Sequence, residues 1–228
     1  MQRSILSTLA LGFVAMTANA QNLMLNGSFE IPGPGFVTFE DWQFFNNVFA
    51  DDNVEQTAPD GVRSAKMFGF GNGLQNDHGL YQTIGGISEG LQYTISSQVL
   101  NPSNDQLGAE NIIILQMNFQ NSGGTTLDTV QVNAIDIMTD PLDTWVESSV
   151  SGIAPAGTTQ IQVYLLHIQL GDKAGFPVQE GGASFWDNIQ LTEGGGTGCN
   201  NPADMNGDGV LDFFDVSAFL QAFGDGCP

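Results

Sequence analysis

Residues 111–120 read NIIILQMNFQ, and apolar and polar side chains alternate from Leu115 to the end of this stretch. One set of alternate positions is apolar: Ile113, Leu115, Met117 and Phe119. The positions between them end in amides: Gln116, Asn118 and Gln120. Because successive side chains of a strand point to opposite faces, this pattern predicts a β-strand with one face in a core and the other in water.

The same reading extends over the body of the chain. Clusters of Gly, Asn, Asp and Pro separate nine stretches with strand composition: 22–30, 62–70, 79–86, 91–100, 111–120, 128–137, 144–153, 160–170 and 183–191. No stretch among them shows a sustained helical period. Nine short strands at this spacing predict a mainly β fold, an antiparallel β-sandwich or jelly roll.

The N-terminus has the pattern of a secretory signal. Residues 1–20 read MQRSILSTLALGFVAMTANA, with Arg3 in a short n-region, an apolar stretch and A-N-A before Gln21. This pattern predicts a signal peptide rather than a membrane anchor; a buried N-terminal helix is the alternative. No other segment approaches the ~20 apolar residues that cross a bilayer. We therefore expect an exported protein, secreted or at the cell surface, with no membrane span.

The composition is strongly acidic. The chain has 25 Asp and Glu against 4 Lys and Arg, a formal net charge of −21 at pH 7. Such a surface repels nucleic acid and anionic membranes, which argues against both as partners. Solubility in salty water accounts for most of this charge without any specific ligand.

A Gly-rich linker, GGGTG at 194–198, divides a body (21–193) from a tail (199–228). The tail carries the chain's two cysteines, Cys199 and Cys227. An even count in an exported chain predicts a disulfide, with two free thiols as the alternative. The bridge would close a small unit that buries little core by itself.

The body resembles a known family. NLMLNGSFE at its start, Trp42 shortly after, then GLYQTI, TWVESSVSGIAPAGTTQIQVYL and a final SFWDNIQL follow an order similar to that of galactose-binding-like jelly-roll carbohydrate-binding modules. The resemblance covers essentially all of 22–193. It implies a fold that serves sugar binding, protein adhesion or purely structural roles, so it does not select a ligand.

The resemblance also implies a structural calcium between the first and last strands. The matching positions here are Glu30 and Asp187. Two carboxylates on neighbouring terminal strands repel each other unless a cation or hydrogen bonds satisfy them. The family often has a second acid after this Asp, whereas Asn188 stands here.

Aromatic and polar residues in loops are the candidates for ligand contact, because aromatic rings stack on the apolar faces of sugars. The amide face of 111–120 is also suited to sugars, because hydroxyl groups need both donors and acceptors; an ordinary solvated face is the alternative. The predicted ligand residues are Trp42, Phe70, Asn76, His78 and Tyr81. All but Trp42 belong to the Gly-rich stretch FGFGNGLQNDHGLYQ at 68–82. Trp145 and Trp186 lie in strand patterns, where we expect them to pack in the core.

Catalytic motifs are missing from the sequence. Acids are plentiful, but none sits in a recognisable catalytic pattern, and no nucleophile elbow, zinc-protease or P-loop motif occurs. His167 lies in the apolar run VYLLHIQL, where a packed histidine is expected more often than a base. We therefore expect a binding protein and not an enzyme.

The tail contains DMNGDGVLDFFD at 204–215, which fits a twelve-residue calcium loop. The predicted Ca²⁺ ligands are Asp204, Asn206, Asp208, the carbonyl of Val210, Asp212 and Asp215. Gly209 stands where the sharp turn requires positive φ. A chance acidic loop is the alternative, but every ligand position holds a suitable residue type.

A helix is predicted after the loop, because Val216, Phe219, Leu220 and Phe223 form one apolar stripe. A loop followed by a helix, with Asp rather than Glu at position 12, resembles the dockerin repeat. In that family the repeat docks onto a cohesin receptor, and the matching contact positions here are Phe213 and Phe214. A full dockerin has two repeats and this chain has one, so the two rings could instead fill a small core.

Two functions remain open at this stage. The first is an exported, non-catalytic protein that recognises a polysaccharide through the jelly roll and is attached by its calcium-folded tail. The second is a structural or adhesive surface protein whose jelly roll is a spacer or protein contact and whose tail is a sorting or anchoring tag.

Overall fold

The structure is a computed structural model that describes residues 21–34, 38–69, 74–109, 111–170, 181–194 and 213–224. In these residues the regular elements are ten β-strands, a short 3₁₀ helix at Ser103–Asp105 and one α-helix. The strands are β1 (Gln43–Phe45), β2 (Val48–Asp51), β3 (Ser64–Phe68), β4 (Asn76–Gly85), β5 (Gln92–Leu100), β6 (Asn111–Gln120), β7 (Thr126–Asn133), β8 (Val146–Ile153), β9 (Gln160–Gln169) and β10 (Ala183–Glu193). The helix is α1 (Phe213–Gly224).

The strands form two five-stranded antiparallel sheets. The first sheet has the order β1-β4-β9-β6-β7 and the second the order β2-β3-β10-β5-β8. Every described strand pair is antiparallel. The apolar faces of the two sheets share one buried cluster, so the body is a β-sandwich of the jelly-roll type, as the alternation predicts.

The core follows the period of two along each strand. In β9 the odd positions are buried and the even positions half-buried, so Ile161, Val163 and Leu165 enter the core. Trp186 is fully buried, which confirms its predicted packing role. Trp145 is half-buried and packs on a smaller cluster around Phe185, with its indole Nε1 donating to the carbonyl of Thr57 at 2.9 Å.

The prediction of a strand at 22–30 is wrong. Asn22 makes only an isolated bridge to Thr192, and the chain then turns, with positive φ at Asn26 and Phe29. Gly27 lies against the backbone of β10, where a Cβ would overlap the carbonyl oxygen of Ile189. The apolar side chains of NLMLNGSFE therefore enter the core from a turn, which alternation alone does not distinguish from a strand.

The other eight predicted body strands are present with shifts of a few residues at their ends, and the helix predicted after the calcium loop is α1. Sequence reasoning missed the short strands β1 and β2. The proposed signal peptide, most of the linker, both cysteines and loop positions 204–212 lie outside the described residues. No helix in the described part of the chain is long and apolar enough to cross a membrane.

Candidate functional site

The outer face of the first sheet carries a continuous cross-strand row of aromatic and amide side chains. Adjacent strands place these residues in direct register: Gln43, Tyr81, Tyr164, Gln116 and Gln131. The row crosses all five strands, from β1 to β7. Strands lie about 4.8 Å apart, so the row spans roughly 19 Å.

Tyr81 and Tyr164 form the centre of this row. Their rings stack with centroids 5.3 Å apart and an interplanar angle of 24°. The hydroxyl of Tyr81 donates to Gln43 Oε1 at 2.6 Å, and that of Tyr164 donates to Gln162 Oε1 at 2.8 Å. Partial burial and then the nearby Tyr81 raise the pKa of Tyr164, so its hydroxyl stays neutral. The pair is a fixed aromatic platform with oriented hydroxyl groups.

Amide and hydroxyl side chains continue beside the tyrosines. Gln162 accepts from Gln120 Nε2 at 2.8 Å and donates to Thr83 Oγ1 at 3.2 Å, and Gln120 accepts from Gln160 Nε2 at 2.9 Å. On the next strands, Asn118 Oδ1 accepts from Gln116 Nε2 at 2.9 Å and from the Thr129 hydroxyl at 2.8 Å. These bonds fix the orientation of the amides before any ligand arrives.

We call this surface the tyrosine face and define it by eleven residues: Gln43, Tyr81, Thr83, Gln116, Asn118, Gln120, Thr129, Gln131, Gln160, Gln162 and Tyr164. Asn118 and Gln120 are themselves buried, 9% and 5% exposed, and act by orienting the neighbouring side chains. None of the eleven residues carries a formal charge, although the chain as a whole has a net charge of −21. The nearest acid on the outward positions of β4 is Asp77, two rows from Tyr81. The face is suited to a ligand rich in hydroxyl groups, because amides both donate and accept.

Only part of the predicted ligand set lies on this face. Tyr81 is there, half-buried. Asn76 lies at the start of β4, where its Nδ2 donates to the carbonyl of Leu74 at 2.7 Å. Phe70 lies outside the described residues.

Two of the predicted ligand residues, Trp42 and His78, are buried, so the prediction that they contact a ligand is wrong. Trp42 is 2% exposed, and its indole packs 5.3 Å from Phe29 and donates to the carbonyl of Asn26 at 3.0 Å. His78 is 0% exposed, and its Nδ1 accepts from the backbone N–H of Asn47 at 3.0 Å. The burial of Trp42 was missed because the strand after it, β1, is too short to show alternation. The burial of His78 was missed because its side of β4 faces the core.

Sequence reasoning identified the amides of β6 as suited to sugars but missed Tyr164 and the other amides of the face. The signal was present in QIQVYL, where Gln160, Gln162 and Tyr164 alternate with apolar residues. The sequence did not show that β9 lies between β4 and β6. Only this strand order places Tyr164 between Tyr81 and Gln116.

The two carboxylates predicted for a structural calcium both bind the turn at 60–63. Glu30 Oε1 accepts from the backbone N–H groups of Val62 and Arg63 at 2.9 and 2.7 Å. Asp187 Oδ2 accepts from the N–H of Asp60 at 3.1 Å, and its Oδ1 accepts from the N–H of Asn188 at 2.7 Å. One short turn thus holds both acids.

Asp187 is fully buried, and burial raises its pKa to about 7. The charges of Asp60 and Glu30 raise it further, whereas the two N–H bonds lower it. Ser64, one residue before the register partner of Trp186, has a buried Oγ with no hydrogen-bond partner among the described residues. No group of three or more His, Cys, Asp or Glu side chains suited to a metal occurs among the described residues.

In the tail, Asp215 is the one predicted loop ligand that the structure describes. It lies in the first turn of α1 and is 5% exposed. Phe213 and Phe214 begin the same helix and are 75% and 66% exposed. Both rings are accessible at the helix start, as a contact role requires.

No protein-family model and no curated protein matches the sequence. Solved structures do share the fold. The enzymatically active domain of bacteriophage CBA120 tailspike protein 4 is 13% identical with a TM-score of 0.53, and the match covers 75% of this chain but 21% of the tailspike chain. At this identity the likeness shows the β-sandwich fold and nothing of the tailspike's activity.

Two further structures in the comparison are carbohydrate-binding domains. TmCBM61 in complex with beta-1,4-galactotriose is 15% identical, with a TM-score of 0.47, and 76% of this chain and 99% of that chain are covered. The CBM22-1 xylan-binding domain of Paenibacillus barcinonensis Xyn10C is 17% identical, with a TM-score of 0.46, and the shares are 76% and 95%.

Proposed function

We propose that this chain is an exported, non-catalytic protein that binds a polysaccharide on the tyrosine face. The observation that carries the proposal is the in-register row in which Tyr81 and Tyr164 lie between amide side chains on both sides. Sugar rings present apolar faces, which stack on aromatic rings, and hydroxyl groups, which pair with amides. Because the face has no charged group, the expected ligand is an uncharged glycan.

The experiment that tests this proposal is a polysaccharide array probed with the full chain and with the variant Tyr81→Ala/Tyr164→Ala. We expect the wild-type chain to bind one or more neutral polysaccharides and the variant to lose that binding. Phe49→Ala is the matched control, since Phe49 is an aromatic residue of the second sheet that is 49% exposed. Absence of binding to every polysaccharide refutes the proposal and favours the structural or adhesive function.

The same proposal includes a structural Ca²⁺ held by Glu30 and Asp187. A buried carboxylate beside two other acids is costly in the charged form, and a divalent cation would remove that cost. Arg63 and Lys66, the described cations, pair elsewhere, Arg63 with Asp52 and Lys66 with Glu55. The Ser64 hydroxyl directly follows the turn that both acids bind and is a candidate for a further oxygen ligand, and carbonyls or water would complete the coordination.

The tail is proposed to bind a second Ca²⁺ through Asp204, Asn206, Asp208, Val210, Asp212 and Asp215. The loop spacing supports this site, as does the burial of Asp215 at the start of α1. The exposed rings of Phe213 and Phe214 then offer a contact for a cohesin-like protein receptor. A pull-down of the full chain from extracellular extract, with and without chelator, tests whether calcium controls that contact.

A further inference from the structure

The chain has two histidines, and both lie inside the sandwich facing each other. His78 of β4 and His167 of β9 are direct register partners, and both are 0% exposed. Their rings meet edge to face, with centroids 6.0 Å apart and an interplanar angle of 84°. A proton on either ring would therefore place a charge in the core, next to the other imidazole.

The hydrogen bonds of His167 define which nitrogen is free of a proton. Its Nε2 lies 3.1 Å from Asn111 Oδ1, whose amide Nδ2 already donates to the carbonyls of Gly108 and Gly181. Nε2–H is therefore the donor, and Nδ1 accepts from the Ser184 hydroxyl at 3.0 Å. That hydroxyl itself accepts from Trp186 Nε1 at 3.1 Å. The site holds a neutral ring of one tautomer.

His78 is held in the same way. Its Nδ1 accepts from the backbone N–H of Asn47 at 3.0 Å. A proton on this nitrogen would turn an acceptor into a donor that faces another donor, and the bond to Asn47 would be lost. Asn47 lies in the turn between β1 and β2, so this bond anchors the end of β1 and the start of β2.

Among the described residues, the acid whose charge acts on the pair is Asp77. Burial lowers the pKa of His78, and the neighbouring exposed Asp77 opposes that shift. Burial lowers the pKa of His167 to about 3, and the charge of His78 lowers it further, whereas the carbonyl of Met67 favours the proton. From β6 and β10 the residues in contact with His167 are the neutral Asn111 and Ser184.

The histidines and the tyrosine face share the same strands. His78 is three residues before Tyr81 in β4, and His167 is three residues after Tyr164 in β9. The strand β1, which the Asn47 turn follows, carries the Gln43 that accepts from the Tyr81 hydroxyl. Separation of these strands at the histidine end would disturb both the tyrosine stack and its flanking amide.

We propose that the His78–His167 pair is an acid-sensitive latch that closes the β1–β4–β9 side of the sandwich and controls ligand release from the tyrosine face. The ligand part of this inference rests on the proposed function. Above pH 6.5 both rings are neutral in the closed and open states. Below pH 6.5 the open state gains protons that the closed state resists, so the latch opens as pH falls.

Hydrogen exchange followed by mass spectrometry on the full chain measures the opening of β4 and β9. After correction for the intrinsic exchange rate, His167 alone should raise the opening equilibrium of the wild-type chain about 50-fold between pH 6.5 and pH 4.5. The variant His78→Asn/His167→Gln keeps an acceptor for Asn47 and a donor for Asn111, and it should lose this increase. The same increase in the variant, or none in the wild type, overturns the latch.

A second measurement needs no variant. In the NMR spectrum of the folded wild-type chain, His167 should titrate near pH 3 and His78 below its ordinary pKa of 6.5, and titration of either ring at 6.5 overturns the latch. Ligand binding at pH 7 and pH 4.5 is then compared for both chains. Absence of binding at pH 7 refutes the proposed function while the exchange and NMR results still decide on the latch. Wild-type binding unchanged at pH 4.5 overturns the control of release.

Discussion

At the scale of single residues, Tyr164 is the most informative position of the tyrosine face. Its ring stacks on Tyr81, and its hydroxyl donates to Gln162, so the two contributions can be separated by two substitutions. Tyr164→Ala removes both and should weaken glycan binding about tenfold or more, which corresponds to ~1.4 kcal/mol. Tyr164→Phe keeps the stacking ring and should stay within about threefold of wild type. Isothermal titration calorimetry distinguishes these values, and equal losses in both variants would contradict the stacking role.

Gly79 lies where the backbone of β4 packs too tightly against its neighbours to allow a side chain. A Cβ at this position would lie 2.6 Å from the Phe45 ring and 2.9 Å from the carbonyl oxygen of Leu165. The backbone of β9 cannot move away without breaking its pairing with β4, so Gly79→Ala should destabilise the fold by ~1 to 3 kcal/mol. Urea denaturation measures this change.

Gly85→Ala is the control on the same strand. A Cβ at Gly85 meets nothing within 4 Å, so this substitution should leave the free energy of unfolding almost unchanged or raise it slightly. A loss of stability at Gly85 equal to that at Gly79 would contradict the packing argument.

At the scale of elements, the two proposed calcium sites lie in different parts of the chain, one in the C-terminal tail and one in the sandwich. A 12-residue helix such as α1 is marginal by itself in water, and a bound ion at its first turn would stabilise it. Glu30 in the N-terminal turn and Asp187 in β10, in contrast, both bind the turn at 60–63. The two sites share no proposed ligand and should therefore bind independently.

Calorimetric titration of the chelator-treated chain with CaCl₂ should give two ions per chain. Asp208→Ala and Asp187→Asn should each reduce this number to one, and the double variant should bind none. Asp77→Asn is the control, because Asp77 is an exposed acid outside both sites. A full complement of two ions in either single variant would contradict the corresponding site.

The elements also show where sequence reasoning succeeded. Strands β5, β6 and β9 were predictable because a period of two marks them residue by residue. The turn at 22–30 was not, since Asn26 and Phe29 adopt positive φ under tertiary contacts that lie far away in sequence. The position of Trp42 depends on the same distant contacts, and its core role was missed for that reason.

At the scale of the whole molecule, the charged residues lie outside the proposed binding surface. The net charge is −21, yet the tyrosine face has no charged residue. Affinity for a neutral glycan should therefore change less than about twofold between roughly 0.01 and 0.15 M NaCl, while the Debye length falls from about 30 to about 8 Å. A uronic-acid polymer should bind more weakly and gain affinity with salt. A steep loss of neutral-glycan affinity with salt would indicate a charged contact and contradict this assignment.

The order of strands was the part of the molecule that the sequence could not supply. The four longer strands of the first sheet, β4, β6, β7 and β9, can each be recognised alone, and amides on one face of β6 already indicated chemistry suited to sugars. The site, however, exists only because β9 pairs with both β4 and β6. These pairings join residues 40 to 93 positions apart, so they depend on the fold as a whole and leave no local pattern.

The most direct test of glycan binding by the tyrosine face is calorimetric titration at pH 7. A neutral polysaccharide that the array identifies as a ligand is titrated into three forms of the full chain. We predict that the wild type and Phe49→Ala bind with similar affinity, whereas Tyr81→Ala/Tyr164→Ala shows no measurable binding although it unfolds at a similar temperature. Undiminished binding by the folded double variant would contradict the assignment of the tyrosine face as the glycan site.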